Sequence, residues 1–215
     1  MDPTGDLLGD AARQRIVAGE STPRPGTLPV VGTCGAGKTT VARALAGRLD
    51  LQHVELDALS WGPNWTPQSA EVFRLAVSRA VAADRWVVDG NYSTCRDIVW
   101  ARAETIVWLD YRFARTFAQL LARTFRRALR REVLWNDNRE SLRTAFFSRD
   151  SILLWAITTH ARRKREYAGL FAQPDNARLR VIRLRSPREA TAWLGRLAGD
   201  AVEDRTSPTG PGYPV

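Results

Sequence analysis

This sequence predicts a three-layer α/β fold: a five-stranded parallel sheet with helices on both faces. Three observations carry the prediction. Short β-rich runs alternate with segments that place apolar residues at helical spacing, from Val30 to Leu197. A glycine-rich turn, Gly32-Thr33-Cys34-Gly35-Ala36-Gly37-Lys38-Thr39, joins the first run to the first helical segment. Carboxylates follow the second, third and fourth runs. At 215 residues and 44% hydrophobic content, the chain can bury one domain core.

The elements follow in order. Leu28-Pro29-Val30-Val31 enters the turn as a strand, although Pro29 removes a ladder donor, which is unusual in a central strand. Val41, Leu45 and Leu49 make the first helical face. Gln52 to Leu56 reads as the second strand. Thr66 as cap and Pro67 as first residue open a helix whose face is Val72, Leu75, Ala76 and Arg79. Arg85 to Val88, Thr105 to Leu109 and Leu179 to Leu184 are the third, fourth and fifth strands. Ser186-Pro187-Arg188-Glu189 forms a capping box, followed by Trp193, Leu194 and Leu197. Residues 1–26 and 199–215 are rich in Gly, Pro and charge; they read as a flexible extension and a disordered tail around a domain at 27–198.

The turn fits G-x-x-x-x-G-K-[ST] at every fixed position. Glycines let successive N–H groups converge on one anion. Lys38 brings a point charge to the β and γ phosphates, and the Thr39 hydroxyl can ligate Mg²⁺. Lysine occurs only at Lys38 and Lys164, in a chain that otherwise uses arginine for its side-chain cations. The candidate nucleotide ligands are Gly32, Thr33, Cys34, Gly35, Ala36, Gly37, Lys38, Thr39 and Thr40, and the expected cofactors are ATP and Mg²⁺.

In such sheets ligands bind at the carboxyl ends of the strands. There stand Glu55-Leu56-Asp57, Asp89-Gly90-Asn91-Tyr92 and Asp110-Tyr111-Arg112. Asp89 is the first choice as metal partner and Asp57 as the group that orients or deprotonates an acceptor hydroxyl. The alternative for each is to cap the next turn. Trp61 and Trp65 either wall an acceptor pocket or staple a loop to the core. Arg123 and Arg127, with Arg126 and Arg130 nearby, belong to an arginine-rich helix within a lid region at about 115–150, where Arg139 and Arg143 are further candidates. The alternatives are a solvated basic face or a nucleic-acid surface. Arg162-Arg163-Lys164-Arg165 reads as a solvated helix end.

Composition narrows the setting. The formal charge of +9 suits polyphosphate, nucleic acid or an acidic surface as partner. No apolar run approaches the ~20 residues of a membrane span. Cys34 and Cys95 imply no disulfide framework, and His53 and His160 lack ligand spacing for zinc. A cytoplasmic protein is expected.

The turn, the Val87-Val88-Asp89-Gly90-Asn91-Tyr92 segment, the arginine-rich central helices and Arg185-Ser186-Pro187 together resemble the adenylate-kinase-like P-loop kinases. Within them the chain is most similar to bacterial adenylate-kinase-related proteins labelled DNA topology modulation proteins. The matching segments are Leu56-Asp57-Ala58-Leu59 with Trp61 and Trp65, Asp89 to Ser93, Asn138 to Leu142 and Ser148 to Ser151. The resemblance implies a P-loop NTPase fold, an NTP with Mg²⁺, an acceptor-binding insertion and a lid. It implies Ser186 and Pro187 beside the adenine base. It departs from adenylate kinases where Asn91-Tyr92 replaces Phe-Pro and Arg96 is the nearest arginine, which removes the usual pattern for AMP. The expected activity is ATP-dependent phosphoryl transfer to a nucleotide or small hydroxylated acceptor. The alternative is a nucleotide-gated regulator that binds nucleic acid or a protein through its arginine face.

Overall fold

The computed structural model describes residues 16–18, 26–130 and 152–206. Six parallel strands run β1 (Ile16–Ala18), β2 (Thr27–Gly32), β3 (Gln52–Glu55), β4 (Trp86–Asp89), β5 (Thr105–Leu109) and β6 (Arg180–Leu184), in the spatial order β1-β6-β5-β2-β4-β3. The helices are α1 (Lys38–Leu49), α2 (Leu56–Ser60), α3 (Ala70–Ala80), α4 (Arg96–Arg102), α5 (Phe113–Arg130), α6 (Ile152–Ala172) and α7 (Pro187–Thr206).

The five expected strands all form, and a sixth joins them. Ile16–Ala18, inside the segment read as a flexible extension, pairs with Val181–Arg183 at the sheet edge. β2 lies centrally between β5 and β4 despite Pro29. Pro29 sits in register with Val88 on the β4 side, while pairing with β5 starts only at Val30, past the proline.

Side chains alternate across the sheet with period two. Leu28, Val30, Val87, Val107, Leu109, Ile182 and Leu184 pack on one face with Val41 and Leu45 of α1 and Trp193 of α7. Val31, Trp86, Val88, Ile106, Trp108 and Val181 pack on the other with Phe73, Trp100, Tyr167 and Phe171. Both faces are therefore covered, as a parallel sheet requires.

Local readings need four corrections. The second strand ends at Glu55, so Asp57 lies in the first turn of α2 instead of at a strand terminus. The helix expected from Thr66-Pro67 begins at Ala70: the Ser69 hydroxyl accepts from Val72 N at 3.3 Å, and Pro67 bridges back to Trp61. Its buried face is Phe73 and Val77, whereas Val72 and Leu75 are half exposed. Arg162 to Arg165 fall inside α6, which continues to Ala172, so they do not mark a helix end. Finally, α7 extends to Thr206, beyond the boundary drawn at residue 198. Arg139, Arg143 and the Asn138 to Ser151 matches lie outside the described residues, as does most of the expected extension and tail.

Candidate functional site

The glycine-rich turn leaves the carboxyl end of central β2 and enters α1. Strand order reverses around β2, which opens a crevice at this end of the sheet. Gly35 has φ +79° and Gly37 φ +86°, values that side-chain-bearing residues rarely adopt. Gly35 has a second requirement: a Cβ there would stand 2.3 Å from the Thr116 carbonyl oxygen. Helix α5 thus lies directly on the loop. Gly37 faces open space.

Lys38 Nζ folds back and donates to the carbonyls of Gly32 (3.2 Å) and Thr33 (3.3 Å). Thr33 Oγ1 is buried with no hydrogen-bond partner among the described residues. An ammonium resting on loop carbonyls, an orphaned hydroxyl, and main-chain N–H groups at the start of a twelve-residue helix together fit an anion of polyphosphate type. Thr39 is half-buried at the first turn of α1, where its hydroxyl offers a donor of the kind Mg²⁺ takes.

Asp89 ends β4, in register with Val30 of β2, and is 3% exposed. His53 Nε2 stands 3.2 Å from its Oδ2, and His53 Nδ1 stands 3.8 Å from Glu55 Oε1. Arg43 closes the series 2.5 Å from the same Glu55 oxygen. A buried carboxylate with one histidine partner and oxygens to spare suits a hard cation. Asp57 accepts a hydrogen bond from the Tyr92 hydroxyl at 2.7 Å. Burial, then the Asp57 charge, push the Tyr92 phenol above its ordinary range, so it stays a neutral donor.

Asn91 ties this side to the loop. Its Nδ2 donates to the Gly32 carbonyl, and its Oδ1 accepts from the Tyr167 hydroxyl of α6 at 2.6 Å. A cleft opens here, lined by Leu56, Asn91, Tyr92, Arg96, Trp100 and Tyr167. Tyr167, Arg96 and His53 were not identified as site residues from the sequence. They come from other elements and meet only through the sheet register, although the strand-end position of Asn91 and Tyr92 did mark this corner.

The arginines divide. Arg123 and Arg127 of α5 are half-buried, on the helix side that carries buried Thr116, Leu120 and Thr124, while Arg126 is exposed. Arg123 lies one turn beyond Leu120, whose Cβ would stand 3.0 Å from a Cβ at Gly35, and the Arg123 Nε is buried without a hydrogen-bond partner among the described residues. The fourth-strand carboxylate, Asp110, takes the structural alternative. It is held by Arg183 Nε at 2.8 Å and by Lys164 Nζ at 2.7 Å, and Arg183 also stacks on Trp108. Ser186 caps α7 by accepting from Glu189 N at 3.2 Å, and Glu189 accepts from Arg185 N at 2.7 Å. Ser186 and Pro187 follow β6 at the same end of the sheet as the loop. Trp61 and Trp65 pack edge-to-face on each other, 5.8 Å apart.

No protein-family model and no curated protein matches the chain. Solved structures do. A shikimate kinase from Acinetobacter baumannii, in complex with shikimate, overlaps at 14% identity over 88% of this chain and 99% of that one (TM-score 0.48). A shikimate kinase from Bacteroides thetaiotaomicron overlaps at 15% identity over 82% and 98% (TM-score 0.47). A gluconokinase from Sinorhizobium meliloti 1021 overlaps at 17% identity over 86% and 100% (TM-score 0.42). The chain has a three-layer α/β fold with its glycine-rich turn at the end of the central strand. Among the described residues no helix is long and apolar enough to cross a membrane.

Proposed function

We propose that this chain is an ATP-dependent phosphotransferase that moves the γ-phosphoryl group to a hydroxyl of a nucleotide or small acceptor. The observation that carries the reading is Lys38, parked on two loop carbonyls at the strand-order reversal, beside a cleft lined by Tyr92, whose hydroxyl bonds Asp57. When bound, magnesium ATP supplies the transferable group and the metal charge that offsets its phosphates. Lys38 exchanges its carbonyl partners for phosphate oxygens. Asp89 and Thr39 hold the metal side. Asp57, oriented by Tyr92, accepts the proton of the acceptor hydroxyl. Arg123 and Arg127 reach toward the phosphates from α5, which rests on the loop. Ser186 and Pro187 border the base.

The competing reading, a nucleotide-gated regulator that holds nucleic acid on its arginine face, needs exposed cations. Arg123 and Arg127 are half-buried, which suits transfer, while Arg112, Arg115 and Arg126 are exposed, as the regulator needs. Two measurements test this. Labelled ATP is offered with a panel of nucleosides, nucleotides, sugars and hydroxy acids, and label is expected on at least one acceptor. Lys38→Ala should weaken ATP binding about 10- to 100-fold, the worth of a charge-assisted hydrogen bond of about 1.5–3 kcal/mol, with unchanged circular dichroism. Wild-type binding and turnover by that variant would overturn the reading. ATP binding without transfer, together with salt-steep DNA retention, would replace it with the regulator.

A further inference from the structure

We propose that Asn91 is a positioning residue for nucleotide binding: it holds the Gly32 carbonyl, so that Lys38 can leave that carbonyl for a phosphate without stranding it. This rests on the nucleotide-binding half of the phosphotransferase reading and deepens it.

The two carbonyls under Lys38 each have a second donor. The Gly32 carbonyl also accepts from Asn91 Nδ2, and the Thr33 carbonyl also accepts from the Ala36 amide at 3.2 Å. A carbonyl has two lone pairs, so each holds both donors at once. The second donors differ in origin. The Ala36 amide belongs to the loop and comes with its curl. Asn91 reaches in from another strand, two residues past the end of β4.

The Asn91 amide is fixed on every side. Gly90 has φ +137°, and a Cβ there would stand 2.7 Å from Leu56 Cβ, so the turn after β4 lies hard against α2. The Tyr167 hydroxyl donates to Asn91 Oδ1 at 2.6 Å, and Tyr167 is itself buried. Burial pushes the Tyr167 phenol above its ordinary range, so it stays a donor. The Gly32 carbonyl can only accept, which sets the amide nitrogen toward it and the amide oxygen toward the phenol. Gly32 is equally immobile: it is buried in register with Leu109, and a Cβ on it would stand 2.8 Å from the Leu109 carbonyl oxygen.

The consequence is thermodynamic. Leaving a buried carbonyl without a donor costs more than an ordinary hydrogen bond contributes. Were Lys38 the sole side chain on Gly32, its move to a phosphate would carry that cost and weaken nucleotide binding. With Asn91 in place the carbonyl stays paired after the lysine has gone. Asn91 therefore acts through the resting place of the ammonium.

The probe is a non-hydrolysable ATP analogue with magnesium, titrated calorimetrically into the full-length protein and three variants that make a double-mutant cycle. Asn91→Ala should weaken analogue binding about 5- to 100-fold, the range for stranding a buried carbonyl. In Lys38→Ala no ammonium leaves Gly32 on binding, so adding Asn91→Ala there should change affinity by less than about twofold. The free proteins give a second readout. Urea denaturation of the double variant should show a loss larger than the sum of the single losses, because only there does Gly32 lose both of these donors. Tyr167→Phe leaves the amide in place but unanchored. It should weaken the analogue less than Asn91→Ala, again only where Lys38 is present, and it carries the same decision if Asn91→Ala does not fold. Equal affinity losses with and without Lys38 are the behaviour of a structural staple and overturn the proposal. Wild-type affinity in Asn91→Ala, or stability losses that simply add, would refute it too. Each of these results leaves the phosphotransferase reading standing, whereas failure of the wild type to bind the analogue overturns both.

Discussion

Single side chains in this protein are set by neighbours far away in the chain. His160 is an example. It is buried on α6, edge-on to Phe113, with Lys164 one turn away and Asp110 beyond. Burial first, then the Lys164 charge, lower its pKa, and Asp110 opposes them in part. The unfolded chain therefore takes up the proton before the folded one does. His160 leaves stability unchanged above its ordinary pKa near 6.5 and lowers it as pH falls below that value. Urea midpoints measured between pH 7.5 and 5 should drop for wild type, and the drop should shrink in His160→Gln. Asp110 is the other test at this scale. Removing it strands two cations in the interior, so Asp110→Ala should cost about 3–5 kcal/mol in chemical denaturation. Asp110→Leu combined with Arg183→Met should recover only part of that loss, because it removes one of the two stranded cations and leaves Lys164 facing the apolar replacement.

Among the elements, the loop and α5 form one unit. Gly35→Ala demands both a left-handed backbone from alanine and room that the Thr116 carbonyl occupies. A cost of about 2–5 kcal/mol is expected, summing the conformational and overpacking penalties. Gly37→Ala meets no atom within 4 Å and should cost only about 1–2 kcal/mol. Equal losses in parallel thermal melts would refute the contact between loop and helix. Elements were legible in the sequence where a local signal was strong. The loop, all five main strands and the Ser186 cap rest on short-range patterns. The α3 start was misread because Ser69, not Thr66, offers its hydroxyl to the N3 amide, and because Pro67 pairs with Trp61 across a turn. The face of α3 was misread because Val72 and Leu75 match a helical stripe as well as Phe73 and Val77 do. Only the position of the sheet decides between them.

At the scale of the whole molecule, the parallel sheet assembles the site, and its order was not legible residue by residue. His53 meets Asp89 because β3 lies beside β4, and Tyr167 meets Asn91 because α6 crosses the strand ends. Neither pair has a sequence spacing that announces it. The edge strand Ile16–Ala18 was passed over because three apolar residues in a polar context carry no period of their own. The same helix also holds the site together. Lys164, Glu166 and Tyr167 sit within about one turn of α6, yet they reach Asp110 after β5, Arg96 on α4 and Asn91 after β4. Three corners of the crevice therefore hang from one rigid rod. The energies of these contacts are not separate quantities: loosening one lets the rod shift for the others, and a thermodynamic cycle across any two will fail to sum.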